Sequence, residues 1–92
     1  MRYLIEFTMR EPVDEMGKLI METNNAREEA GKGFVAQGIL KDRWYGISED
    51  VSIIQVVETD EPQLIAEWVE AYRRFVKHKI KIIMTPEEYT GE

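Results

Sequence analysis

The sequence predicts an α+β fold in which a four-stranded antiparallel sheet carries two helices on one face. Three observations predict it. Four short segments are apolar at strand spacing, two longer ones repeat apolar residues every three or four positions, and their order is strand, helix, strand, strand, helix, strand. The 92 residues leave room for one domain, read as 1–92, and no second core. A chain of this size hides only roughly 60–65% of its unfolded surface, so its stability as a monomer is thin.

The first strand is expected over Tyr3 to Met9, with Tyr3, Ile5, Phe7 and Met9 on one face and Leu4, Glu6 and Thr8 on the other. Glu11-Pro12 breaks it, since proline cannot donate to the ladder. A helix follows from Val13 to Ala30, its stripe made of Val13, Met16, Leu19, Ile20, Thr23, Ala26 and Ala30. Asp14 and Glu15 suit the positive end of its dipole, and Gly31-Lys32-Gly33 stops it. Gly17 and Asn24-Asn25 weaken its middle.

Phe34 to Leu40 reads as the second strand, with Gly38 marking a bulge, and Lys41 to Asp50 as a polar loop containing Trp44, Tyr45 and Ile47. Val51 to Glu58 is the third strand, and its nearly continuous Ile53, Ile54, Val56 and Val57 imply burial on both faces. Asp60 is expected to cap the second helix in a box with Gln63, with Pro62 in the first turn. Its stripe is Leu64, Ile65, Trp68, Val69, Tyr72, Phe75 and Val76. Lys79 to Met84 is the last strand, ended by Thr85-Pro86, and Glu87 to Glu92 reads as an acidic tail.

Right-handed crossovers place both helices on one sheet face, the ferredoxin-like βαββαβ arrangement. The other face carries Leu4, Ile54, Val56 and Ile83 or their alternates, too apolar to face water. A second sheet packed against it resolves this, so a homodimer is expected.

The run Gln55-Val56-Val57-Glu58-Thr59-Asp60-Glu61-Pro62-Gln63-Leu64-Ile65-Ala66-Glu67-Trp68, followed by a strand that ends at Thr85-Pro86-Glu87, resembles an uncharacterised family of small dimeric α+β barrel proteins. The resemblance covers most of the chain and is specific across residues 55–68. It implies two ferredoxin-like sheets packed face to face into a barrel with the helices outside. The wider superfamily contains monooxygenases without metal, lactone isomerases, dehydratases and ligand-sensing domains of transcription regulators. The loop read at Lys41 to Asp50 is longer than the resemblance implies.

Composition narrows the partners. A net charge of −6 repels phosphate backbones, so nucleic acid is not expected. The basic cluster Lys77, His78, Lys79 and Lys81 reads as a solvated turn and strand edge. Cysteine is absent, which removes disulfides, thiolate zinc sites and cysteine nucleophiles and agrees with a reducing cytoplasm. The N-terminus runs straight into a strand pattern, and no apolar run approaches the roughly 18 residues of a membrane span, so a cytoplasmic protein without membrane contact is expected.

Neither a cofactor nor a metal is expected. His78 lacks the spaced partners of a metal site, and neither a phosphate loop nor a dinucleotide or nucleophile-elbow motif is present. His78 reads as a turn residue, with a catalytic base as the rival. Glu6 lies mid-strand among apolar residues. It is either solvated or paired, or else a buried carboxylate with acid–base capacity. Gln55 and Gln37 interrupt apolar strands and need hydrogen bonds, from backbone or from a ligand. Tyr3, Trp68, Tyr72 and Phe75 read as core.

The expected ligand site is a wedge between sheet and helices reached by Glu6, Gln55 and Tyr72, with Trp44 or Tyr45 as a lid. Parity alone does not say whether Glu6 and Gln55 share a face, because the register of strands one and three is open. Three functions are weighed: a domain binding a small apolar or aromatic molecule, a cofactor-independent isomerase or monooxygenase as the resemblance implies, and an interaction module without a ligand.

Overall fold

The first strand, β1 (Arg2–Met9), buries every second side chain: Tyr3, Ile5 and Phe7 are buried, while Leu4, Glu6 and Thr8 are only half-covered. This computed structural model describes residues 1–46 and 52–91. After β1 come α1 (Val13–Glu29), β2 (Leu40–Gly46), β3 (Ser52–Glu58), α2 (Pro62–Tyr72), β4 (Val76–Ile83) and a short α3 (Pro86–Thr90). The sheet order is β2-β3-β1-β4, and each neighbouring pair is antiparallel. This is the ferredoxin-like arrangement expected from the element order.

The register settles the face of every strand residue. Phe7 pairs with Ile53 and His78, Ile5 with Gln55 and Ile80, and Tyr3 with Val57 and Ile82, so these share the helix-covered face. Ile65, Trp68 and Tyr72 of α2 are buried against them, and Met16 and Ile20 of α1 pack on the same cluster. Trp68 is the hub. Its ring lies 5.3 Å from Phe7, 5.0 Å from Tyr72 and 6.3 Å from Phe34, and the edge of His78 meets it at 6.2 Å.

Several boundaries differ from the sequence reading. Residues 34–39 are not a strand, and Leu40 opens β2. Residues 34–38 form a turn in which Gly38 takes a φ of 71°, and Phe34 tucks beneath Trp68. Gln37 belongs to this turn and donates from Nε2 to the Lys32 carbonyl at 2.9 Å. The second strand is β2, built from residues read as a loop. At the sheet edge both of its faces meet solvent, so Lys41, Asp42 and Arg43 fit there. Residues 47–51, the rest of the expected loop and the first residue of the expected third strand, lie outside the described residues.

The last strand starts three residues earlier than expected, at Val76, so His78 is a half-buried strand residue and not part of a turn. Asp60 does not cap α2. It takes the N-terminal ammonium at 3.2 Å, while the Thr59 hydroxyl accepts from the Glu61 N–H at 3.0 Å. The expected tail folds into α3, whose Thr85 and Glu88 form a reciprocal capping box. Those hydrogen bonds to Thr85, together with Arg2 at 2.6 Å, hold the Glu88 carboxyl below its ordinary value of 4.5. No described helix is long and apolar enough to cross a membrane.

Because Trp68 touches Phe7, Phe34, Tyr72 and His78, truncating it removes the centre of the core. Trp68→Ala is expected to cost about 3–5 kcal/mol in denaturant melts. A loss below about 1 kcal/mol would contradict the packing described.

Candidate functional site

The described part of α1 contains no buried residue. Its weak apolar stripe lets Met16 and Ile20 touch the core while Asn24 and Asn25 stand off from it. The gap is a cavity of about 170 Å³, partly open to solvent, between α1, α2 and the helix-covered face of β1, β2 and β3. Phe7, Ile53, Trp68 and Tyr72 give it apolar walls, and Asn24, Asn25, Arg43, Tyr45 and Gln55 supply polar atoms. A recess of about 10 Å³ adjoins it, sharing Asn24, Arg43, Gln55, Trp68 and Tyr72 and adding Arg27, Glu28, Gly33 and Phe34.

Gln55 is the anomaly of this site. It sits mid-strand in β3 opposite Ile5 and Arg43 and is only 6% exposed. Its Oε1 is buried and accepts no hydrogen bond from the described residues. A buried amide oxygen without a donor costs about 1–3 kcal/mol, so the position is expensive unless something donates to it.

The Tyr72 hydroxyl makes a long hydrogen bond to Asn24 Oδ1 at 3.5 Å, and burial pushes its pKa up, so it stays a neutral donor. Arg27 and Arg43 lie close enough to oppose that rise and Glu28 to reinforce it. Arg27 stands over the Tyr72 ring at 6.0 Å from its centre. The Glu28 carboxylate is committed to the N–H groups of Val35 and Ala36, at 3.2 and 2.9 Å. A Cβ at Gly33 would overlap that carboxylate, which explains glycine there.

Of the residues expected at the site, Gln55, Tyr72 and Tyr45 line this cavity. Glu6 and Trp44 do not. The pairings Glu6–Ile54 and Trp44–Ile54 put both on the opposite face of the sheet, and Trp44 is 60% exposed there. They cannot reach a wedge beneath the helices. Sequence reasoning missed Arg43, Asn24 and Arg27. Arg43 falls in the expected loop, and the available signal is its place two residues before Tyr45, on the same face of an extended chain. Among the described residues no cluster of three His, Asp or Glu side chains is placed to hold a metal ion.

Among solved structures, a dimeric ferredoxin-like protein from an uncultured marine organism is similar, with a TM-score of 0.51 and 12% identity over 92% of this chain and 96% of that one. At that identity the likeness is one of fold. A protein from Agrobacterium tumefaciens shows 12% identity and a TM-score of 0.47, covering 94% of this chain and 96% of its own. An uncharacterised NIPSNAP domain protein from Burkholderia xenovorans shows 12% identity and 0.44, covering 94% and 97%. No curated protein matches the chain. The profile of the family described as Domain of unknown function (DUF3303) matches residues 1–91, and the chain belongs to that family.

Proposed function

We propose that this chain, read as one domain over residues 1–92, binds a small, largely apolar or aromatic molecule in the cavity between its sheet and helices. The observation that carries this reading is the buried Gln55 Oε1, without a donor from the described residues and beside a partly open cavity with aromatic walls. A volume of about 170 Å³ suits one ring, since an engineered apolar cavity of about 150 Å³ accepts benzene. Binding is favoured over catalysis because, among the described residues, the titratable side chains lining the cavity are Arg43, Tyr45 and Tyr72, with no carboxylate or imidazole among them. His78 shares the face but meets Trp68 instead of lining the cavity.

A second reading concerns assembly. Leu4, Ile54, Val56 and Ile83 stand on the face opposite α1 and α2, together with the exposed Trp44. Charge is divided across that face. Lys77, Lys79 and Lys81 run along the β4 edge, and Asp42 sits on the β2 edge. Asp42, Val56, Leu4 and Lys81 form one cross-strand row. A two-fold axis parallel to the strands lays β4 of one protomer over β2 of the other and brings Lys81 above Asp42 at both ends of that row. A homodimer with sheet-to-sheet packing is supported by this complementarity, and the similar marine protein is described as dimeric.

Phenol, a one-ring probe with a hydroxyl donor, is expected to shift the NMR signals of Ile53, Gln55 and Tyr72. Gln55→Leu should weaken that binding while leaving the free protein at least as stable, because it removes an acceptor that lacks a donor. A stability loss above about 1 kcal/mol would mark Gln55 as structural. For assembly, sedimentation at micromolar concentration should show twice the 10.8 kDa chain mass. Lys81→Glu should weaken the dimer about tenfold or more, and adding Asp42→Lys should restore it. A monomer at all concentrations would refute this assembly.

A further inference from the structure

The reading of a ligand cavity leaves open what kind of molecule enters it, and the charges around Tyr72 narrow the choice. This inference rests on that reading. Arg43 comes from the edge strand β2 and Arg27 from α1, and both help to line the recess beside Tyr72. Among the described residues neither makes an ion pair with a carboxylate. The described pairs are the N-terminus with Asp60, Arg2 with Glu58 and Glu88, and Arg73 with Glu70. Among the described residues Glu28 is the one acidic side chain lining the cavity or recess, and the Val35 and Ala36 amides already occupy its oxygens.

Among the described residues, two guanidinium groups against one carboxylate leave one positive charge in surplus at this end of the cavity. That surplus stands in a chain whose net charge is −6, so it does not follow from composition. A small anion pairing with arginine in a partly dehydrated recess gains charge-assisted, bidentate hydrogen bonds. Gln55, at the junction of cavity and recess, offers a buried acceptor that asks for a hydroxyl or N–H. Trp68 and Tyr72, their rings stacked at 5.0 Å, offer the aromatic wall.

We propose that the cavity takes a one-ring aromatic monoanion, its charged group held by Arg43 and Arg27 beside Tyr72, and its hydroxyl or N–H donating to Gln55 Oε1. The ring occupies the larger chamber between Phe7, Ile53 and Trp68. The anionic group points toward the recess. The single surplus charge disfavours dianions.

The test compares matched probes by NMR titration of the Gln55 side-chain amide and the Trp68 indole N–H. The three hydroxybenzoate isomers carry ring, charge and donor. The three cresols keep ring and donor and replace the carboxylate with a methyl group. The best hydroxybenzoate is expected to bind about ten- to a hundredfold more tightly than its cresol. Arg43→Gln, at an exposed edge position where folding is not at stake, should reduce that preference to about twofold or less. Arg27→Gln should narrow the gap in the same direction. Equal affinity for acids and cresols, tighter binding of cresols, or an acid preference that survives both arginine variants would overturn the anionic ligand while leaving the binding reading in place. Shifts from none of the six probes would overturn both.

Discussion

The alternation of β1 is the constraint on which the rest of the structure depends. β1 lies inside the sheet, hydrogen-bonded to β3 on one side and β4 on the other, so its register carries to both. Once Tyr3, Ile5 and Phe7 face the helices, Ile53, Gln55 and Val57 must as well, and so must Val76, His78 and Ile80. The same step commits Leu4, Glu6, Ile54 and Val56 to the uncovered face. A slip of one residue would exchange the two sets, burying Glu6 under Trp68 and exposing Ile5. The apolar pattern of three strands at once opposes it.

Much of this was legible in the amino-acid order, for identifiable reasons. β1 and α2 carry strong periodic signals, β3 a nearly continuous apolar run and α1 a weak stripe bounded by clear stops, and all four appear close to their expected places. The failures are local and have physical causes. Apolar residues in Phe34 to Leu40 suggested a strand, but Gly38 needs a turn conformation and Phe34 serves as a plug beneath Trp68. Lys41 to Gly46 looked like a loop because edge strands tolerate charge on both faces. The capping pair Thr85 and Glu88 was present in the tail, three residues apart, and went unread.

The site was half legible for a related reason. Gln55 stood out as a polar residue in an apolar run, and Tyr72 lay on the inward stripe of α2. Grouping Glu6 with Gln55 required the register between β1 and β3, which no single strand contains. The structure supplies it, with Gln55 opposite Ile5 and Glu6 opposite Ile54. Arg27 and Arg43 lie 16 positions apart in the chain, on different elements, and converge only through tertiary packing. The resulting polarity sits where α1 makes its weakest contact with the core, and a loosely packed helix is a natural place for a fold to admit a ligand.

All of these statements require the Gln55 side chain to lie beneath the helices while Trp44 lies on the other side of the sheet. Nuclear Overhauser contacts of the Gln55 side-chain amide protons test that arrangement most directly. The structure requires contacts to the rings of Trp68 and Tyr72 and none to Trp44 or the Glu6 methylenes. Contacts to Trp44 or Glu6 would show that β3 pairs in the other phase, and the cavity, its charge surplus and the uncovered face would all be wrong together.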